Sequence, residues 1–200
     1  MKLTKDLWIL DLRKYLWKRV FQKKSIAYRE NAFFLSNSKT NRIYLFGGNS
    51  ENEVFSLNII YEIDLNSHIN DIVKCFESDA ENIQIDWKEI NLKKINNKFI
   101  TSDFSCEVTL SANAIFEEGN QIFIFGGKNR YNEINNLFFK IDLNNNSIEK
   151  LNNFYLNDQK LLPRLNPVTN IYIQKICLYF IIKYIEYGGN ENWVNNVWRA

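Results

Sequence analysis

One histidine, three cysteines and a scatter of carboxylates are the side chains that could carry chemistry in this chain. His68 is the sole imidazole and lies in the polar stretch 66–71, where it reads as a solvated loop residue. Histidine is the commonest general base and metal ligand, so any site that needs two of them is excluded. Cys75, Cys106 and Cys177 are far apart and odd in number. A metal cluster needs ligands at close, paired spacing, so these three read as free thiols of a reducing compartment. Asp11, Asp64 and Asp142 recur in one context, aliphatic-Asp-Leu. Carboxylates in equivalent places on separate units do not form an acid/base pair, and they are expected to cap turns through their own backbone. The Gly-Gly steps fit neither the phosphate-loop spacing nor the dinucleotide spacing. The expectation is a protein that is not an enzyme, with no cofactor and no metal.

The side chains suited to binding are of another kind. Arg130, Tyr131 and Trp193 fall in polar stretches after two of the Gly-Gly steps, and Asn49 falls after a third. Arginine, tyrosine and tryptophan in loops dominate interface energetics. These four residues are the candidate binding set. Net charge is +2 with both signs interspersed, so no basic stripe argues for nucleic acid. Residues 1–14 are interrupted by charge, and the longest apolar run, 176–182, is too short to span a bilayer. No membrane partner is expected, and the default location is cytoplasmic. The many asparagines are read as compositional bias without a role.

The elements that must position these residues are legible through glycine. Only seven occur, and six form the pairs Gly47-Gly48, Gly126-Gly127 and Gly188-Gly189. Each pair ends a short run rich in β-branched and aromatic residues: 43–46, 122–125 and 184–187. Such a run, closed by a breaker, is a buried strand ending in a turn. Glycine is required there if the backbone takes a positive φ or another chain comes close. Aligning on the pairs brings further positions into step. Ile60 to Leu65 and Phe138 to Leu143 follow at nearly equal distances, and Leu7 to Leu12 repeats the same unit. Six residues past Asp11 stands Trp17, and six past Asp142 stands Ile148. The middle unit reaches its equivalent, Trp87, after an insertion over 66–86. Leading strands recur at 31–34, 113–116 and, more weakly, 170–173. Leu3 to Val20 could form an amphipathic helix in isolation, but the spacing from Trp8 to Trp17 repeats a strand unit.

A hydrophobic strand closed by Gly-Gly, then a spaced aromatic, then a tryptophan, resembles the kelch repeat. The positions are Gly47, Gly48, Tyr61 and Trp87 in one unit, and Gly126, Gly127 and Phe139 in the next, with Ile148 for the tryptophan. Trp8 and Trp17 come from the first unit, and Gly188 and Gly189 from the last, where Trp198 takes the register of Trp8. The steps are uneven, at 53, 78 and 59 residues. The resemblance implies an all-β fold of four-stranded antiparallel propeller blades. On this reading 1–20 ends a blade, 26–92 is a blade carrying the insertion, 104–151 is a blade, and 167–200 starts another. That makes an incomplete arc of about three to four blades, whereas closed propellers typically have about four or more. The missing blades are expected from the rest of a longer chain or from self-association. Trp17 and Trp87 are expected to pack between blades. The insertion is expected to be a disordered, tolerated excursion that could carry a short helix from about Ile69 to Glu77, with a partner-binding lobe as the alternative.

The function implied is a protein–protein interaction module, part of a larger propeller-containing protein, whose partner the residues do not name. The alternatives are the propeller portion of a ubiquitin-ligase adaptor or phosphatase, and a catalytic propeller. In a meander the loops after the Gly-Gly strands share one end with the connections between units. Asn49, Arg130, Tyr131 and Trp193 are therefore expected on a common surface.

Overall fold

Apolar side chains at every second residue suit a pleated strand that buries one face, and most of this chain folds that way. A computed structural model describes residues 6–77, 83–95, 120–129, 131, 133–135 and 137–151, together with the backbone of 113–117, 155–156, 159–160, 168–171 and 178–181. The fold is all-β, with one short α-helix among the described residues.

Strands β1 (Leu7–Asp11) and β2 (Leu16–Phe21) form an antiparallel hairpin with Leu7 opposite Val20 and Leu10 opposite Trp17. The Asp11 carboxylate accepts from the backbone N–H of Arg13 at 2.8 Å, which turns the chain. That bond holds the carboxyl below the usual carboxylate range. Tyr15 closes the turn at φ 52°. Asp142 builds the same turn through Asn144 N–H at 2.9 Å, with Asn146 at φ 48°. Asp64 accepts from Asn66 N–H at 3.0 Å. All three aspartates thus cap turns, as their shared context predicts.

Next come β3 (Phe33–Asn37), β4 (Arg42–Phe46) and β5 (Ile59–Asp64). The insertion follows as a 3-10 turn (Leu65–Ser67), helix α1 (Ile69–Glu77) and strand β6 (Ile83–Gln84). Strand β7 (Lys88–Asn91) then completes a four-stranded sheet in the order β3-β4-β5-β7. Strand β8 (Lys93–Lys94) leaves it and runs parallel to a later strand, β12 (Ser147–Lys150). The third sheet is a second meander: β9 (Asn113–Glu117), β10 (Gln121–Phe125), β11 (Phe138–Asp142) and β12 (Ser147–Lys150). Two small hairpins follow, β13 (Tyr155–Leu156) with β14 (Gln159–Lys160), and β15 (Val168–Ile171) with β16 (Leu178–Ile181).

Period-two alternation decides which residues meet. On one face of the second sheet Ile43 stands opposite Ile63, and both pack on Val20, Cys75 and Ile83 of a cluster shared with the first sheet. On the other face Tyr44, Phe46 and Ile60 join Ile122, Ile124 and Phe139 of the third sheet. The sheets therefore stack face on face in chain order. Their leading strands also meet, β3 against β9 and β9 against β15.

Three expectations need correction or relocation. The insertion is not a disordered excursion over its described residues. Cys75, Ile83 and Ile85 are buried with Val20, and β6 extends the first sheet beside β2 in parallel. Ile72 and Cys75 lie three apart on α1, which gives the helix an apolar stripe, and the open edge of β2 accepts β6. The two tryptophans expected between sheets divide. Trp87 packs on the cluster of the first and second sheets, but Trp17 is 58% exposed and Trp8 is 49% exposed. Their face of the first sheet has no sheet over it among the described residues. In the last unit the described strands are Val168–Ile171 and Leu178–Ile181, whereas the expected strand at 184–187 and Gly188-Gly189 lie outside the described residues.

Asparagine carries a role that composition alone concealed. Asn41 and Asn120 each precede the first glycine of a pair by six residues. Both have positive φ, 53° and 62°. Each donates from Nδ2 to a second asparagine, Asn66 at 2.9 Å and Asn144 at 3.1 Å. Asn37 Nδ2 then donates to Asn120 Oδ1 at 3.0 Å and ties the turns of two sheets together. Asparagine tolerates the left-handed region and its amide offers both a donor and an acceptor, so few other residues could serve.

Candidate functional site: the loop end after the glycine pairs

The two described glycine pairs set up one end of the sheets. Gly47 and Gly48 have φ 61° and 83°, and Gly126 and Gly127 have φ 73° and 86°. A Cβ on Gly48 would stand 2.6 Å from the carbonyl oxygen of Glu30 and 2.9 Å from Ala32. Both reasons for glycine, positive φ and close approach, therefore hold at this position. The close approach lets the segment between sheets pair with the loop: Glu30 N–H donates to Asn49 O at 2.8 Å, and Asn49 N–H returns to Glu30 O at 2.9 Å.

The loops that leave the pairs share one construction. Phe55 N–H donates to Gly48 O, and Asn135 N–H donates to Gly127 O, each at 2.9 Å. Asn49 bridges Val54, and Lys128 bridges Ile134. Within the second loop Asn129 is the hub. Its Oδ1 accepts from Tyr131 N–H at 2.9 Å and Glu133 N–H at 3.1 Å, while its Nδ2 donates to Glu133 Oε2 at 2.7 Å. The loop backbone is thereby held, and Tyr131 is 64% exposed with Ile134 exposed near it in sequence.

Asn49 plays a different part from the one its position suggests. Its Nδ2 donates to Glu30 Oε1 at 2.8 Å, and its Oδ1 accepts from Asn31 Nδ2 at 3.1 Å. Both halves of its amide brace the loop. Tyr61 is partly buried beneath Arg29, and Phe139 is fully buried, so both repeat aromatics are structural. Arg130 and Trp193 lie outside the described residues.

Sequence reasoning missed Arg29. Its guanidinium lies 4.0 Å from the centre of the Phe55 ring and 5.3 Å from that of Tyr61, and Nη1 donates to Gly47 O at 3.1 Å. Burial pulls its pKa below the ordinary arginine value. A planar cation stacks on rings and still reaches a carbonyl, which lysine does less well. The signal available beforehand was slight: one arginine one residue ahead of the segment that pairs with the loop.

A second polar group lies inside the stack and was also missed. Glu62 is buried at 6% exposure, with Arg42 Nη1 at 3.5 Å and Lys88 Nζ at 3.8 Å. Arg42 also reaches Asp64 at 3.2 Å. Tyr44 stands opposite Glu62 across the strands. Burial, with the neighbouring Glu62 charge, pushes the Tyr44 phenol up to about 12. These groups meet because Arg42, Tyr44, Glu62 and Asp64 share one face of β4 and β5. The buried carboxylate is matched by cations from β4 and β7.

This pair has a pH consequence. The folded phenol titrates above the unfolded value of about 10, so the neutral form favours folding. The contribution is complete below pH of about 10 and is lost as pH rises towards 12, by roughly 2–3 kcal/mol. Urea midpoints at pH 9 and pH near 11.5 should therefore differ more for the wild type than for Tyr44→Phe. An equal alkaline loss in both would remove Tyr44 as its source.

Among the described residues no three His, Cys, Asp or Glu side chains converge as metal ligands. No helix among them is long and apolar enough to cross a membrane. Set beside known proteins, the chain matches no family model and no curated sequence.

Proposed function

We propose that this chain is a kelch-type repeat module, an incomplete set of propeller blades whose loop end binds another protein. One observation carries the reading: two successive four-stranded meanders end their second strands in Gly-Gly and send out loops of the same construction at one end. The face-on-face stacking of the sheets and the contact of β3 with β9 and β9 with β15 suit blades arranged about an axis. The binding surface on this reading is centred on Tyr131, braced by Asn129 and Glu133, with Arg130 beside it in the chain and Trp193 after the last glycine pair. Asn49 and Arg29 are its supports and make no direct contact with the partner.

The test is affinity capture with the full chain against Tyr131→Ala, Arg130→Ala and Trp193→Ala. Recovery of the specific partner should fall at least about tenfold for the strongest of these, in keeping with a hot-spot truncation. Equal recovery with all three would remove the loop end as the binding surface.

A further inference from the structure

One hairpin departs from a turn that this chain otherwise builds from asparagine. Counted from their aspartates, Arg13, Lys14 and Tyr15 after β1 hold the places of Asn144, Asn145 and Asn146 after β11. The two turns share one geometry. Asp11 accepts from the N–H groups of Arg13 at 2.8 Å and Lys14 at 3.4 Å, and Asp142 from those of Asn144 at 2.9 Å and Asn145 at 3.3 Å. The third residue has positive φ in both, 52° at Tyr15 and 48° at Asn146. Asparagine also takes the left-handed place before β4 and β10, at Asn41 and Asn120. A bulky ring is disfavoured there, so the turn itself does not account for tyrosine. Asn144, Asn145 and Asn146 are exposed although the second sheet packs on the third. Exposure of such a tip therefore does not depend on what lies over the tryptophan face of the first sheet.

The departure places rings and aliphatic groups beside cations. Tyr15 is 82% exposed, Leu16 42%, and the Arg13 side chain 86%. Lys14 Nζ donates to Phe76 O at 2.8 Å and ties the tip to α1. There Ile69 and Val73, four apart on one helix face, are exposed as well. The even mix of charge over the whole chain fails along this hairpin: from Leu12 to Arg29 there are seven Lys or Arg and no Asp or Glu. Arg13 lies 3.5 Å from the shielded Asp11, Arg19 pairs with Asp6, and α1 carries Asp71 and Glu77, so the cationic excess belongs to the hairpin and not to the helix. Tyrosine and leucine beside arginine and lysine suit the headgroup boundary of a bilayer, where apolar parts leave water and cations meet lipid phosphates. Nucleobases would want stacking platforms, which Leu16, Ile69 and Val73 do not offer. The Asp11 carboxylate already satisfies the N–H groups of the turn, so its backbone can enter that boundary.

We propose that this hairpin tip docks on an anionic lipid bilayer, with Tyr15 and Leu16 at the headgroup boundary and Arg13 and Lys14 on lipid phosphates. The equivalent turn of the third sheet lies at the end of β11 opposite the Gly126-Gly127 loop. Docking at the tip is thus separate from whatever the loop end binds.

Flotation of the full chain with vesicles tests this. On phosphatidylcholine containing about one third phosphatidylserine, in about 0.1 M salt, the bound fraction should exceed that on phosphatidylcholine alone by at least about tenfold. Tyr15→Asn with Leu16→Ser installs the residues of the third sheet and should lower binding about tenfold, with the β-sheet circular dichroism kept. Tyr15→Asn alone should keep or raise the melting temperature, which separates lost docking from lost folding. Arg13→Asn with Lys14→Asn should remove the preference for phosphatidylserine, and Tyr131→Ala should bind vesicles as the wild type does. Equal binding of the wild type to the two kinds of vesicle would overturn the proposal. So would undiminished binding in both double variants. Binding of polyuridylate by a chain that ignores both vesicles would assign the cations to nucleic acid and overturn it as well.

Discussion

Gly48→Ala should destabilise the protein by roughly 3 kcal/mol, the sum of a left-handed backbone that alanine resists and a contact that cannot relax cheaply. The φ of 83° supplies the first part. The second arises because the added Cβ meets backbone atoms, the Glu30 carbonyl at 2.6 Å and Ala32 Cα at 2.9 Å, and not the end of a flexible side chain. Relief would require the segment carrying Glu30 to back away, which would break its paired hydrogen bonds with Asn49. For a chain of this length the melting temperature should fall by roughly 6–12 °C. Gly47→Ala is the useful comparison. Its φ of 61° is also left-handed, but its Cβ would meet only the side chains of Leu57 and Phe33, at 3.1 and 3.2 Å. It should cost less than Gly48→Ala. Equal and small effects at both positions would show that the loop end is not held by this close approach.

Phe139→Ala should cost still more, roughly 3–5 kcal/mol, because a fully buried aromatic leaves both lost transfer energy and a cavity. Phe139 stands opposite Ile124 in the third sheet, and both pack with residues of the second sheet. The cavity would open between two sheets whose strands are braced on either side, so it should collapse poorly. The urea midpoint should fall with the slope unchanged, as for a lost core contact in a two-state unfolding. Tyr131→Ala is the control. With the residue 64% exposed, it should shift stability by no more than about 0.5 kcal/mol. A comparable loss in both variants would mean that the third sheet does not share a core with the second. The contrast also separates two kinds of aromatic: Phe139 is buried in the stack, and Tyr131 is exposed in a loop at its end.

Much of the architecture was legible from local pattern. Glycine pairs behind aromatic runs located β4 and β10, and the recurring aspartates located the turns after β1, β5 and β11. The helix over Ile69–Glu77 was legible as well. These features depend on neighbours within a few residues, which is why a single chain reveals them. Burial was less legible. Trp8 and Phe139 share a register, yet one is half exposed and the other fully buried. The difference lies in whether another sheet covers the face, and no local spacing encodes that.

The candidate site divides along the same line. Local pattern was enough to place loops after Gly47-Gly48 and Gly126-Gly127 and to put Tyr131 in the second of them. That Asn49 braces Glu30, that Arg29 sits over Phe55 and Tyr61, and that Asn37 ties Asn120 across two sheets follows from how the sheets pack. The Asn49–Glu30 bond joins residues 19 apart and the Asn37–Asn120 bond residues 83 apart. Side-chain hydrogen bonds and ring contacts act over a few ångströms in space, so their pairing exists only once the sheets have stacked. The glycine pairs were visible as a repeat, but their reason was not: at Gly48 it is the Glu30 carbonyl of the segment that leads into the same sheet.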